Sequence, residues 1–506
     1  MKTASLPRST ALVLAFVLAA CTLLYATWKT VHFIWLGHRE AINERQPFQP
    51  IMLARWRKLD WREALNVPDR SKKELPWFDP HLPPANEPSD FPYQRSPVGN
   101  SWFASSPYDP GNFLPNSRFK WKRGLAITGP GSEPMIGWHG TLHSHTGWSD
   151  GAATPQIAYA FARDRGGLDF FAVTDHPEYW FFNPGRTWDQ LKEIAAMANR
   201  PDFVALPGFE YSSPIFGHYT VIGSDGVCSA IKCPELSDFY RWLLLPQNRD
   251  ALVAFAHPLV QRDNAGRFEF AQMDFVPALE KQMFGVEVIH WSGHDRFHFG
   301  FNGKQPFIDE AMAQGWHTGA LASQDNHSHN WGLANSRIGV LAKNLDRPSL
   351  MEALRSRRFY ATSSRDLELA FDAKTSTGTW TPMGGIIQIP RPQKTEAKST
   401  DVKLMIETRL RLFEPDQYNA PRRIEWILDG RVISRLDFEG LPHELASTED
   451  TANYYSGEIT GVFPERLVSD GERHYLYARI FMGDDFATYA QSSPIVFSGH
   501  HSPSKP

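Results

Sequence analysis

The chain has 506 residues, room for two or three domains at roughly 100–200 residues each. Apolar residues make up 42% and charged residues 21%, which excludes a disordered or fibrous chain. With 52 Lys and Arg against 56 Asp and Glu the net charge is −4, so there is no positive field to hold a nucleic-acid backbone, and nucleic acid is not expected as a partner.

From the N-terminus, Lys2 and Arg8 precede an apolar run at 11–28 long enough to cross a bilayer as one helix. Basic residues at its start predict that the remaining chain is extracytoplasmic, membrane-anchored or exported, in the periplasm or at the cell surface. The competing expectation is a cleaved signal or a lipoprotein, because LAAC ending at Cys21 is similar to a lipobox; continuation of the run through Leu23, Leu24 and Tyr25 favours the uncleaved anchor. This signal or anchor occupies 1–37. Segment 38–134 is a Pro- and aromatic-rich arm with a helix expected at 51–65, and aromatics such as Trp77, Phe78, Trp102 and Phe103 argue against a free tether. The three cysteines exclude a disulfide scaffold; Cys228 and Cys233 are close enough to bridge one loop, with two unpaired thiols as the alternative.

Segment 135–364 alternates short apolar runs with helical patterns, which predicts βα units and a mostly parallel sheet or barrel. Strands are expected at 168–173 (LDFFAV), 203–206, 252–256, 285–289 and 318–322. Helices are expected at 188–198, 236–244, 307–313 and 349–355, and one starting at the N-cap Thr154 with Pro155 in first position and ending near Gly166. Segment 365–506 carries strand patterns only and predicts a separate all-β, sandwich-like domain, with Asp429-Gly430 as a hairpin turn.

The chemistry is carried by the residues at the strand ends. LHSHTGWSDG supplies His143, His145 and Asp150; VTDH supplies Asp175 and His176; PGFE supplies Glu210, and GHYTVIG supplies His218; AHP supplies His257; QDNH supplies Asp325 and His327. A lone histidine at a strand end is usually a hydrogen-bonded structural group. So many costly polar side chains at one end of a sheet need a ligand to satisfy them, and a barrel places its site there. Nitrogen and carboxylate donors without thiolate suit two or three divalent ions, with Zn, Mn or Fe left open. Such ions activate water for hydrolysis, and the chain has no G-x-S-x-G elbow and no phosphate loop to suggest a protein nucleophile. His290, Trp291, His294 and His298 are equally balanced between lining the pocket and ordinary packing, and Arg357 and Arg358 read as a solvated helix end, with a hold on an anionic substrate group as the alternative.

In this order, HSHTGWSDG, VTDH, PGFE, GHYTVIG, AHP and QDNH resemble the motifs of the polymerase-and-histidinol-phosphatase (PHP) superfamily over 138–362. The N-terminal apolar segment, the RRFYATSS stretch and the terminal β region are more similar to its carbaryl-hydrolase-like branch. The resemblance implies an α/β fold, a distorted seven-stranded β/α barrel. It implies one ion on His143, His145, Glu210 and Asp325, a second on Glu210, His176 and His218, and a third on Asp150, His257 and His327. Asp150 stands where other members place a histidine. Asp175 and His257 are the catalytic candidates, Asp175 as a group that orients an imidazole. The expected activity is a multinuclear metal-dependent hydrolase acting on a small-molecule ester: a phosphoester, the superfamily prior, or a carbamate or carboxylic ester, the prior of the branch. The alternative is a membrane-anchored, non-catalytic binding protein on the same scaffold.

Overall fold

The structure, a computed structural model, describes residues 134–180, 183, 185–258, 269–290, 306–389, 405–414, 419, 421–438, 455–464, 468, 472–483 and 488–499, together with the short strands Tyr93–Arg95, Trp102–Ala104 and Ile127–Thr128. The apolar run at 11–28 and the helix expected at 51–65 lie outside the described residues, as do Trp291, His294 and His298. No helix among the described residues is long and apolar enough to cross a membrane.

The first half is mixed α/β. Its elements in chain order are β1 (Pro134–Thr141), α1 (Pro155–Asp164), β2 (Phe170–Val173), α2 (Trp188–Ala198), β3 (Val204–Ser213), β4 (Gly217–Ile222), α3 (Leu236–Leu243), β5 (Leu252–Ala256), β6 (Met283–His290), α4 (Phe307–Gln314), β7 (Gly319–Ser323), β8 (Arg337–Ala342), α5 (Arg347–Arg355) and β9 (Phe359–Thr362). β2, β5 and β7 are buried along their whole length, which is why they read as continuous apolar runs without alternation. α1 to α4 start at the residues expected, although Thr154 makes no side-chain cap bond, and α5 starts at Arg347, two residues before the expected 349. Thr187 caps α2 through a reciprocal box with Gln190, and the Asp346 carboxylate caps α5 by accepting from Ser349 N–H.

β7-β6-β5-β4-β3-β2-β1-β8-β9 are hydrogen-bonded neighbours in that order. β1, β2 and β3 run parallel, as do β5, β6 and β7, whereas β4 is antiparallel to both β3 and β5. Among the described residues no backbone ladder joins β7 to β8 or β9, so the expected barrel is not closed by strand pairing. A side chain spans the seam instead: Ser493 Oγ accepts from Ala320 N–H at 3.2 Å and donates to the Phe359 carbonyl at 2.6 Å. Gly319 is needed there because a Cβ would run into the Phe359 ring and Ser493.

From Glu368 onward every labelled element is a strand: β10 (Glu368–Thr375), β11 (Ile386–Ile389), β12 (Met405–Glu414), β13 (Pro421–Leu428), β14 (Arg431–Asp437), β15 (Tyr455–Pro464), β16 (Arg473–Met482), β17 (Thr488–Ser492) and β18 (Ile495–Gly499). Asp429 and Gly430, both at positive φ, turn β13 into β14. The main sheet does not stop at β9 but continues through β17, β16, β13 and β14, while β10, β12 and β15 lie in a second sheet. Two apolar clusters result, one around β1–β9 and one between the two sheets of the strand-only part.

One contact between these parts carries a titratable group. Asp309 on α4 is buried, and Tyr477 Oη donates to both of its carboxylate oxygens at 3.0 Å. Burial pushes its carboxyl up to about 6, partly offset by the tyrosine and by Arg479. A folded-state value above the unfolded one gives stability that is fully present below the ordinary Asp range and lost as pH rises through about 6. Relative to Asp309→Asn, the wild type is expected to lose up to about 3 kcal/mol between pH 4 and pH 7.5, read by urea unfolding of both proteins at each pH. Equal slopes would overturn this.

Candidate metal centre

Every ligand candidate except Glu210 and His218 leaves the C-terminal end of a strand of the mixed half. His143 and His145 follow β1 in a loop held from three sides. Ser144 N–H donates to Thr174 Oγ1 (3.0 Å), Ser144 Oγ donates to the Ala172 carbonyl (2.6 Å), and His145 N–H donates to the Asn326 carbonyl (2.8 Å). The loop then doubles back so that Asp150 comes beside His145, and Gly151 is required because a Cβ would strike the His145 backbone. His176 follows β2, Glu210 lies in β3 with His218 beside it on β4, His257 follows β5, and Asp325 and His327 follow β7. His257 (φ 27°) and Asp325 (φ 40°) both adopt left-handed backbone, a strained conformation for residues with a Cβ that functional sites retain.

The structure brings all nine ligand candidates together, in three groups: His143, His145, Glu210 and Asp325; Glu210, His218 and His257; and Asp150, His176 and His327, with His145 alongside. The first group has the membership the sequence implies. The other two exchange a histidine, since His257 joins Glu210 and His218, and His176 joins Asp150 and His327. The ladder explains the exchange. Pairing of β4 with β5 sets His218 opposite Ala256, next to His257, so both imidazoles reach Glu210 Oε1 at 2.9 Å. His176 is turned the other way, its Nδ1 hydrogen-bonded to Ser212 Oγ at 2.6 Å and its Nε2 3.5 Å from Asp150.

Acceptors face acceptors at the centre. His143 Nδ1 lies 2.8 Å from Glu287 Oε1 and carries the proton, which leaves Nε2 with its lone pair. That Nε2 stands 3.2 Å from His145 Nε2, 3.3 Å from Glu210 Oε2 and 3.3 Å from Asp325 Oδ1. Glu210 Oε2 is buried, makes no hydrogen bond among the described residues, and has imidazole nitrogens of His143, His145 and His176 at 3.2–3.3 Å. Buried lone pairs converging in this way are stable only around a positive charge. The donor set therefore fits divalent cations shared through Glu210.

Without cations the same field attracts protons. Burial pulls the His143 imidazole down, but Glu210, Glu287 and Asp325 outweigh it and hold it well above the histidine range; Asp325 and Glu210 likewise carry His145 to about 10. Burial raises Glu210, yet His143, His218 and His176 hold it well below the carboxylate range. Burial drops His176 to about 3 and lowers His218.

Asp175 belongs to none of the three groups. Its carboxylate accepts from Thr146 N–H (2.7 Å), Thr146 Oγ1 (2.6 Å) and Ser149 Oγ (2.5 Å), so it braces the loop that presents His145 and Asp150 rather than orienting an imidazole as expected. Arg357 is no solvated helix end. It is buried, and its guanidinium donates to the carbonyls of His317, Arg355, Glu280 and Met283, while Arg358 pairs with Glu352. His290 ends β6.

One carboxylate at the site is not among the residues that the motifs single out: Glu287 touches His143. A lone acid inside the apolar run GVEVI is the sequence signal for Glu287, because a buried charge is retained only with partners.

No family model and no curated protein matches this chain. Among solved structures, a two-domain protein from Bacteroides vulgatus containing a predicted PHP-like metal-dependent phosphoesterase is similar at 14% identity and a TM-score of 0.36, over 67% of this chain and 88% of that one. PsfC from Pseudomonas syringae has 15% identity and a TM-score of 0.28 over 44% and 87%. Endonuclease Q, in complex with a 27-mer duplex carrying an abasic lesion, has 13% identity and a TM-score of 0.27 over 44% and 57%. Likenesses this distant carry no argument about activity, which rests on the geometry of the ligand groups.

Proposed function

We propose that this chain is a metal-dependent hydrolase of PHP type that cleaves a small-molecule ester, whether phosphoester, carbamate or carboxylic ester. The observation that carries the reading is the convergence of imidazole nitrogens of five histidines on the one buried carboxylate of Glu210, with Asp325 beside them. Divalent ions held there supply acidity to water and neutralise charge on the attacked group. The chain's own residues do the rest. Glu210 spans two ligand groups, so their spacing is set by one carboxylate. Asp175 fixes the loop bearing His145 and Asp150, and Ser212 and the Asp325 carbonyl take the Nδ1 atoms of His176 and His327, turning Nε2 of each toward Asp150. The more exposed Asp150–His176–His327 group marks the side open to substrate, since the side chains of Asp150 and His327 are 27% and 31% exposed while His143, His145 and Glu210 are buried.

We place this activity outside the cytoplasm, on the strength of Lys2, Arg8 and the apolar run at 11–28, and of the Cys228–Cys233 disulfide. The test is parallel assay of metal-loaded protein on an aryl phosphate, an aryl phosphodiester and a naphthyl carbamate, with and without chelator. Chelator-sensitive turnover of at least one is expected. Failure on all three by protein that demonstrably holds metal would overturn the hydrolase reading in favour of a binding protein.

A further inference from the structure

Glu287 sits in the middle of β6, buried among apolar neighbours, and is not among the ligands. A carboxylate there loses its hydration and is retained only where specific donors replace the water. Two such donors belong to two different ligand groups. Oε1 accepts from His143 Nδ1 at 2.8 Å, and Oε2 accepts from the backbone N–H of His257 at 2.7 Å. The first bond fixes the tautomer and ring plane of His143, so that Nε2 meets Glu210 and Asp325. The second ties down His257 at its left-handed backbone, the conformation from which its Nε2 reaches Glu210 Oε1.

Resting on the reading of a metal centre, we infer that Glu287 is a positioning residue that presets the His143-containing and His257-containing ion sites together, and has no part in the Asp150–His176–His327 site. The chemistry is specific to a carboxylate. Both neighbours are donors, so two acceptor oxygens are needed; glutamine has the same shape but one acceptor and one NH2, and must lose one bond and set donor against donor. The third ligand group has its own supports in Ser212 and the Asp325 carbonyl and makes no contact with Glu287 in the hydrogen bonds described.

The experiment compares full-length wild type, Glu287→Gln and Glu287→Asp, each stripped with chelator, checked for folding by circular dichroism and thermal unfolding, and titrated with Zn2+ against a chromophoric competitor. In Glu287→Gln, affinity is expected to fall about 10–100-fold at two sites and to stay unchanged at a third, with the chelated protein still folded. Glu287→Asp, which keeps both acceptors on a shorter arm, recovers part of the loss. Wild-type affinity at every site in the glutamine variant, a uniform loss at all sites, or failure of both variants to fold whatever the metal would overturn the inference in favour of a packing role. A wild type that binds no cation sinks the metal-centre reading itself, an outcome distinct from these.

Discussion

Glu210→Gln is expected to remove both bound metal and turnover. In the wild type its two oxygens meet five imidazoles, His218 and His257 on Oε1 and His143, His145 and His176 around Oε2. Glutamine fits the same space but lacks the negative charge that two ligand groups share, and its NH2 can serve only one side. Metal content should drop to at most the single ion that Asp150, His176 and His327 hold, and kcat/KM should fall by at least about 10³-fold, or ~4 kcal/mol of transition-state stabilisation. Elemental analysis and steady-state kinetics on one preparation check this. Full metal content with full turnover would remove Glu210 from the centre.

The second large effect concerns metal removal, and its size should depend on pH. In the metal-free protein His143 is held well above the usual range and His145 near 10, so their contribution to stability is complete below about 6.5 and is lost toward alkaline pH, for His145 as pH rises through about 10. Burial depresses His176 to about 3 and lowers His218, which has the opposite sign: both are neutral when folded, and stability is lost as pH falls below the ordinary histidine value. Taken alone, these four histidines make the metal-free centre most stable near pH 6.5. Cations replace the protons on His143 and His145, so affinity rises with pH and the alkaline loss disappears on loading. At an ion concentration 100 times Kd each occupied site adds about 2.7 kcal/mol. The gap in unfolding temperature between loaded and chelated protein should widen from pH 6.5 to pH 9; parallel curves would show that these histidines are not the ligands.

The sequence is most informative at strand ends and helix starts. Pro155 at the first position of α1 and the Asp429-Gly430 turn act locally, and each is visible without knowing what packs where; Thr154 stands at the N-cap position but its side chain makes no cap bond. The ligands can be collected for a related reason: a polar residue directly after a buried strand is conspicuous. Their grouping cannot, because it depends on β4 running antiparallel between β3 and β5, and GHYTVIG gives its histidine away more readily than its strand direction. Glu287 is harder to see because it lies in the middle of a strand and not at its end. Arg357 reads as solvated because helix-end arginines generally are; its positive φ, which turns the guanidinium inward onto four carbonyls, is a tertiary fact.

The hydroxyl bridge at Ser493 bears on any attempt to work with the mixed half alone. A fragment ending near residue 364 would keep every ligand candidate, yet Ala320 N–H and the Phe359 carbonyl would lose the group that mediates between them, and β9 would lose its neighbour β17. Asp325 and His327 leave β7 only a few residues beyond Ala320. Minimal versions of this protein should therefore fray first at the strand that delivers Asp325 and His327, so truncation is a poor route to a smaller protein with the site intact, and the last residues of the sheet are better regarded as part of the scaffold of the candidate centre.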